Sequence, residues 1–435
     1  MNDLAPLDCA AAVDRPAPAA AGSHRPAGLW VRLARRIVWA RLRRLQRGTI
    51  TVIEGPRRTI FGEPYPGSTL TATITILVPD CYVDMALSGT VGAGESYARG
   101  DWQCDDLTAL VRLFALNRAL VDGMERGVTR LSAPLLALEH RLRRNTKTGS
   151  RRNIAAHYDL SNEFFAQMLD RTMMYSCAYF QRPDSTLEEA SRAKIDVICR
   201  KLHLTADDHV LEIGSGWGGL ACYAAKVYGC RVTTTTISRA QHELAVRRVR
   251  EAGLSDRVDV LLTDYRDLPA RGMLYDKLVS VEMIEAVGHE YYATFFDVCS
   301  RLLKPDGLML LQAITIDERH YERAKRSVDF IQRFIFPGSC IPSVTALCRA
   351  MAQASDFSLL HLQDIGAHYP PTLRGWRDNL RTNVEQVKRL GFRAEFLRLW
   401  EFYLSYCEGG FLERSISTAH LLFAKSGWRQ DPLAG

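Results

Sequence analysis

The sequence predicts an α/β protein: a doubly wound parallel sheet flanked by helices, with a smaller α+β module ahead of it. Three observations carry this. Short apolar runs alternate with helix-patterned segments from His209 to Ala313, and strands alternating with helices pair in parallel. The first of those strands ends in a glycine-rich turn, Gly214-Ser-Gly-Trp-Gly-Gly219, that opens directly on a helix. The first third of the chain carries alternating strand patterns followed by helical ones. At 435 residues the chain exceeds one ordinary domain, so two are expected.

Composition narrows the class. Hydrophobic residues make up 47% and charged residues 24%, which excludes a disordered chain. No apolar run reaches the roughly 18 residues of a membrane span. The N-terminus shows no signal-peptide core, so the cytoplasm is the expected compartment. The 11 cysteines are scattered without a C-x-x-C pair. They read as reduced, mostly buried thiols, with no metal site expected.

In chain order, residues 1–28 are rich in Ala and Pro and read as a disordered leader. Residues 29–142 form the α+β module. Trp30, Leu33, Ile37 and Ala40 recur at helical spacing among seven arginines, and no acid occurs between Asp14 and Glu54. Such a helix suits an anionic membrane surface. The alternatives are packing on its own domain and nucleic acid, of which nucleic acid is not adopted. Thr49 to Asp101 reads as strands, with turns at Gly55-Pro56, Gly62 to Gly67 and Gly89 to Gly94, and helical patterning follows from Leu107 to about Leu142. The module holds no catalytic constellation, so a positioning role is expected. Residues 143–153 are basic and polar and read as a linker.

The catalytic unit is assigned to residues 154–435. Met173 to Phe180 packs aromatics around Cys177, a helix runs from Leu187 to Leu204, and strand one starts at His209. Glu212 precedes Gly214, Gly216 and Gly218 in an E-x-G-x-G-x-G pattern, which is not the dinucleotide spacing. Glycines let backbone amides approach a ligand, and a helix N-terminus offers free N–H groups. An acid before the turn suits S-adenosylmethionine (SAM), whose sulfonium and amino groups are cationic. Strand two exits through Thr236, Ser238 and Gln241, neutral groups where many nucleotide folds place an acid. Strand three, Val258 to Thr263, ends at Asp264-Tyr-Arg, where an acid can receive an adenine amino group. Strand four, Tyr275 to Glu282, leads to Glu285. Strand five, Gly307 to Ala313, follows a helix ending at Lys304-Pro305 and carries Gln312. His420 to Ala424 reads as the last strand. Ligands bind at the carboxyl ends of such strands.

Several blocks together resemble the cyclopropane-fatty-acid synthase and mycolic acid cyclopropane synthase family of SAM-dependent methyltransferases. They are His157 to Asn162, Tyr175-Ser-Cys177, Leu211 to Gly219, Thr236 to Gln241, Glu285 to His289, Phe336-Pro-Gly338 with Ile341-Pro-Ser343, and His368-Tyr369. The resemblance runs from about Ile154 to Ser426. It implies a class I SAM-methyltransferase sheet, Rossmann-like, with helical insertions at a lipid site. It implies methyl transfer to the cis double bond of an unsaturated phospholipid acyl chain, at the inner face of the cell membrane, by an enzyme that can be a homodimer. The cofactor set it implies is Tyr175, Ser176, Glu212, Gly214, Gly216, Gly218, Thr236, Ser238, Gln241, Asp264, Tyr265 and Arg266. It also implies a bound bicarbonate as base, held by Cys177, Glu285, the backbone of Ile314, and Tyr369. Tyr175, Tyr179, Phe180, Phe330 and Phe334 are expected to wall off water. Two positions qualify the resemblance. Many relatives carry His where this chain has Gln312, which bonds an anion but cannot titrate, so a methylene- or 10-methyl-branched chain is the alternative product. Cys407 matches a family cysteine sometimes assigned to the active site, yet direct transfer from SAM needs no covalent step, and a structural or substrate-adjacent place is expected. A lipid-binding protein with a lapsed SAM site is the reading from another class, and the intact glycines, Glu212 and Glu285 argue against it.

Overall fold

A computed structural model of the chain describes residues 28–64, 69–117 and 161–429. The expected leader up to residue 27, the basic linker 143–153, most of the His157 block and the helical stretch beyond Asn117 lie outside the described residues.

The strand-rich N-terminal segment forms a four-stranded sheet from β1 (Gly48–Glu54), β2 (Arg57–Glu63), β3 (Thr71–Ile76) and β4 (Trp102–Cys104), in the order β2-β1-β3-β4. β1 and β2 make an antiparallel hairpin, whereas β1 and β3 pair in parallel. Not all of Thr49–Asp101 is strand, however. Cys81–Arg99 is a helix, kinked where Gly89 takes φ 55° and ψ −125°. Gly55-Pro56 turns the β1–β2 hairpin as expected, whereas the glycines of the Gly89 to Gly94 stretch lie within this helix, where Gly92 and Gly94 serve close packing. A Cβ on Gly94 would lie 2.3 Å from the Phe330 ring.

The basic helix spans Leu29–Leu42 and packs on its own domain with a different stripe from the Trp30, Leu33, Ile37 and Ala40 one read from its spacing. Ala34, Val38, Trp39 and Leu42 are buried, while Trp30 is 75% and Leu33 47% exposed. Trp39 decides the orientation. Its Nε1 donates to Tyr82 Oη, and its ring packs edge-on to Phe61 at 5.4 Å.

The second sheet has seven strands: β5 (His209–Ile213), β6 (Arg231–Thr236), β7 (Val258–Leu262), β8 (Tyr275–Val281), β9 (Leu303–Ile316), β10 (Ser358–Asp364) and β11 (Ile416–Ala424). Their order is β10-β11-β9-β8-β5-β6-β7. β5 through β9 run parallel, as expected of a doubly wound sheet. β11 is antiparallel to both of its neighbours, so the sheet is not wholly parallel. The last strand of the chain slots between β9 and β10 and is fully interior. β10 has no counterpart in the sequence reading, because its exposed-and-intermediate alternation lacks an apolar run. Lys304-Pro305 lies inside the 14-residue β9, not at a helix end. The order reverses at β5, whose neighbours β6 and β8 lie on opposite sides. A crevice opens at the carboxyl ends there, between the glycine turn and the segment after β8. Among the described residues no helix is long and apolar enough to cross a membrane.

The two sheets are tied through helix Ala394–Leu412, which packs on Cys81–Arg99 and Leu107–Leu116. Glu408, 1% exposed, is the polar pin of that contact. It accepts from Thr108 Oγ1 at 2.9 Å and lies 2.6 Å from Arg377 and 3.0 Å from Arg374. Removing one partner of a buried ion pair strands the other charge. Glu408→Ala is therefore expected to lower unfolding free energy by about 3 kcal/mol, read as a shifted midpoint in urea denaturation. An unshifted midpoint would remove Glu408 from this role.

Candidate active site

One cavity runs along the carboxyl edge of the seven-stranded sheet. At one end it passes Glu212, Ile213, Gly214, Ser215, Gly216 and Trp217, then Thr236, Gln241 and Asp264 to Arg266. The local chain explains the shape. Gly218, in the left-handed region at φ 81°, caps the helix Gly219–Tyr228. A Cβ on Gly219 would sit 2.5 Å from the Thr172 carbonyl, so only glycine lets these segments meet. Glu212 ends β5, 3% exposed, and one of its oxygens accepts from Thr234 Oγ1 at 2.6 Å. Burial raises its carboxyl to about 8, against the pull of the Thr234 bond and the Lys194 charge. A buried carboxyl held neutral this way gains most from a cation arriving beside it. Asp264 is gripped by Arg266, at 2.9 Å from Nε and 2.6 Å from the terminal nitrogen. The Arg266 N–H also ends on the Nε-bound oxygen, at 3.0 Å, so the carboxylate is fixed in direction at the cavity wall. These groups fit SAM: carboxylate near the cationic end, open glycine backbone beneath, acid at the far end.

The middle of the cavity is carboxylate chemistry. Glu285 Oε1 accepts from the Ile314 N–H at 2.5 Å. Its Oε2 is buried and without a partner among the described residues. Burial, then the nearby charge of Glu282, raise Glu285 to about 8. Glu282, which sequence reasoning did not single out, is the centre of the site. Its Oε1 accepts from the Cys177 N–H at 3.1 Å and from Gln312 Nε2 at 2.8 Å. Its Oε2 accepts from Tyr369 Oη at 2.6 Å. Burial pushes Glu282 upward while Tyr369, Gln312 and the Cys177 amide favour its ionised form. The residue sits at φ 48°, a left-handed conformation that costs a non-glycine residue about 1 kcal/mol or more. No sequence pattern marks a glutamate in that conformation. Its spacing of three from Glu285 was the available signal.

Behind Glu282 a row of donors is fixed in direction. Lys201 Nζ lies 3.0 Å from His420 Nδ1, and an ammonium only donates, so Nδ1 accepts and Nε2 carries the proton. His420 Nε2 then donates to Gln312 Oε1 at 3.0 Å, which turns the Gln312 amide N–H towards Glu282. Burial and the nearby lysine charges keep His420 neutral.

The far end of the cavity is apolar. Thr90, Val111, Phe114 and Ala115 of the N-terminal module line it with Tyr406, Cys407 and Phe411. The aromatic wall near the carboxylates consists of Tyr175, Phe336, Tyr369 and Tyr403, with the Tyr175 and Tyr403 hydroxyls 2.9 Å apart. The expected wall is thus corrected in part. Tyr179 stacks against His368 at 4.4 Å, Phe330 is buried against Phe402 at 4.7 Å and Phe334 packs on Phe330. These rings, with Phe180, lie off the cavity.

The sequence-predicted residues divide accordingly. Tyr175, Ser176, Glu212, Gly214, Gly216, Thr236, Gln241, Asp264, Tyr265, Arg266, Glu285, Ile314, Tyr369 and Cys407 line the cavity. Gly218 and Ser238 do not, because both cap helices; the Ser238 hydroxyl is taken by the Gln241 N–H at 3.3 Å. Cys177 and Gln312 stand behind Glu282. The Cys177 thiol, raised by burial, points to backbone carbonyls, so this residue contributes its amide. Burial likewise raises the Cys407 thiol, which leaves no thiolate near neutrality. Trp217 was missed although it stands inside the glycine turn; it lines the cavity and anchors to Asn162 at 2.7 Å. Bicarbonate does not fit the donor set implied for it. The Cys177 amide, Gln312 and Tyr369 are taken by Glu282, and the Ile314 amide by Glu285.

Comparison with known proteins matches residues 145–421 to the mycolic acid cyclopropane synthetase family. Tuberculostearic acid methyltransferase UfaA1 of Mycobacterium tuberculosis is 37% identical over 330 residues, 74% of this chain and 76% of that one. The cyclopropane-fatty-acyl-phospholipid synthase of Escherichia coli K12 is 36% identical over 359 residues, 81% of this chain and 88% of that one. Among solved structures, mycolic acid cyclopropane synthase CmaA1, complexed with SAH and CTAB, superposes with a TM-score of 0.57 at 33% identity. It covers 63% of this chain and 98% of its own.

Glu212 gives a pH signature. A cation binds best when Glu212 is ionised, so below its pKa of about 8 binding must expel a proton. SAM affinity is expected to rise as pH goes from 6.5 to 8, by about tenfold per unit well below the pKa. Isothermal titration calorimetry in two buffers checks this. Glu212→Gln is expected to flatten that part of the slope, and an equal slope in the variant would acquit Glu212.

Proposed function

Because the chain belongs to the mycolic acid cyclopropane synthetase family and is a SAM-dependent methyltransferase, we propose that it methylates the cis double bond of an unsaturated phospholipid acyl chain to form a cyclopropane ring. The observation that carries this reading is the continuity of the cavity. One space joins the glycine turn, the Glu282 and Glu285 carboxylates and a mostly apolar arm lined by Val111, Phe114, Ala115 and Phe411. Bound SAM supplies an electrophilic methyl. The chain supplies the rest. Gly214, Gly216 and Glu212 orient the cationic end, and Asp264 takes the adenine edge. Tyr175, Phe336 and Tyr403 keep water from the electron-poor acyl carbon, which an aromatic face also favours. A carboxylate at the cavity wall accepts the departing proton. In this reading residues 154–435 carry the chemistry, and residues 29–142 position the lipid through Val111 and Phe114.

A second reading, in which methylation yields a methylene-branched chain, is favoured by Glu282 and by the likeness to a protein named tuberculostearic acid methyltransferase. Both products gain about 14 mass units, one CH₂. Expression in a host lacking such activity, with fatty-acid mass spectrometry, is expected to show that gain. NMR of the product then separates ring from branch. Unaltered unsaturated chains would defeat both readings.

Membrane contact belongs to the same proposal. Leu29, Trp30 and Leu33 are exposed beside Arg32 and Arg36, with Arg43 and Arg44 further along. Apolar side chains enter the interface while arginines meet phosphates. Arg35 is not part of this face, since it pairs with Glu54 at 3.3 Å and stacks over Trp39 at 5.1 Å. Arg36, Arg43 and Arg44 changed together to Glu should weaken sedimentation with anionic vesicles about a hundredfold, at roughly 1 kcal/mol per basic residue. Unchanged sedimentation would reject the contact.

A further inference from the structure

We propose that the Glu282 carboxylate is the general base of this enzyme, so that turnover needs no dissolved bicarbonate. The inference rests on the methyltransferase reading above and deepens it. Three groups that the resemblance assigns to or beside a bound anion, the Cys177 amide, Gln312 and Tyr369, converge on Glu282 instead, at 3.1, 2.8 and 2.6 Å. A separate bicarbonate would have to displace a carboxylate that the chain holds there through a strained backbone at φ 48°. A strained conformation persists only where the surrounding structure over-determines it.

The donor row decides which oxygen acts. Lys201, His420 and Gln312 point their N–H groups in sequence towards Oε1, where the Cys177 amide also ends. None of these donors can turn into an acceptor without breaking its own buried bond, and the remaining partner, the Thr418 hydroxyl, stands at 3.4 Å and bonds the Ala313 carbonyl at 3.0 Å, so Oε1 is the oxygen held as acceptor. A proton must go to Oε2. Its partner there, Tyr369, carries a hydroxyl that both donates and accepts, so it can turn when Oε2 becomes protonated. Glu285 is unsuited to the task. It has one amide donor, and its other oxygen has no partner among the described residues. Burial and the neighbouring Glu282 raise it, while Tyr369, Gln312 and the Cys177 amide hold the charge on Glu282, so Glu285 is the member of the pair that keeps the proton.

The step balances. The alkene π pair forms the new C–C bond as the sulfur–methyl bond breaks, leaving a neutral thioether and a cationic acyl carbon. A C–H bond of the transferred methyl then gives its proton to Glu282 Oε2: its electron pair bonds to the cationic carbon and closes the ring, or, where a hydride has first moved from the methylated carbon to the cationic one, forms the methylene double bond. The proton passes to solvent as product leaves.

The test uses the full chain with unsaturated phospholipid vesicles and SAM, in carbon-dioxide-free buffer under argon, with and without added sodium bicarbonate. Wild-type turnover is expected to be the same in both. Glu282→Gln is expected to lose at least about a hundredfold in turnover, the range for a general base, while binding SAH as wild type does by calorimetry. Glu282→Gly empties the place, and its turnover is expected to rise with added bicarbonate. Wild-type activity that appears only with bicarbonate would overturn the proposal while leaving the methyltransferase reading intact. So would a Glu282→Gln enzyme within threefold of wild type. Wild type that methylates no unsaturated chain in either buffer would instead bring down the functional reading, and this inference with it. Should either variant fail to bind SAH, the wild-type comparison decides alone.

Discussion

A carboxylate kept ionised in an apolar cavity must be met by donors, and Glu282 shows how much of a fold that requirement recruits. The donors come from five separate parts of the chain: the Met173–Phe180 segment, helix Leu187–Lys201, β9, β11 and the start of helix Tyr369–Thr382. The antiparallel insertion of β11 is what lines them up. In its register His420 stands opposite Gln312 of β9 on one side and Gln363 of β10 on the other. Gln312 in turn pairs with Val281 of β8, one residue before Glu282. A polar row therefore crosses β10, β11 and β9 and ends at the acid that follows β8. Isolated, each of these buried groups would be costly; joined, each is satisfied.

Charge balance follows the same logic. Glu212, Glu282 and Glu285 line one cavity, and behind its wall stands a fully buried lysine, Lys194, which donates to the lining Ser176 at 2.8 Å. Burial lowers Lys194 to about 8 even with Glu282 and Glu212 holding it up. One lysine cannot offset three carboxylates, so the ligand-free site keeps protons on Glu212 and Glu285. A cationic cofactor changes that balance by its arrival. The site is thus built to be completed by positive charge, and the same groups suit a reaction whose intermediate is a cation.

How much of this could be read from residues alone depends on whether the determining interaction is local. The alternation from β5 to β9 is local, and the glycine turn, Glu212, Asp264 and Glu285 fell at the strand ends where the sheet rule puts them. The antiparallel β11 and the edge strand β10 depend on pairing across distant segments, which no local pattern encodes. Glycines misled for a related reason. Gly92 and Gly94 are there for close approach to Asp84 and Phe330, not for turns. The basic helix shows the limit of periodicity: two apolar stripes were present, and the ring of Trp39, meeting Tyr82 and Phe61, chose the buried one. Gln312 was noticed as a departure from the family, but its meaning required seeing Glu282. Its amide N–H is turned onto the Glu282 carboxylate by His420, so Gln312 and Glu282 act as one unit.

A tethered base differs from a bound ion in that it cannot relocate. With Oε1 closed off by the donor row, proton removal is confined to Oε2, and the direction from which it reaches the acyl chain is set by the backbone at Glu282. Ring closure takes the proton from the carbon that arrived with the cofactor. A methylene branch takes a proton from that same carbon, after a hydride has moved from the methylated carbon to the cationic one. One base within reach of the transferred methyl therefore serves both outcomes, and what separates them is whether the hydride moves before the proton leaves. In this chain, then, the acceptor of that proton is decided where β8 ends: the left-handed turn at Glu282 aims the acid, and the row behind it leaves one oxygen to act.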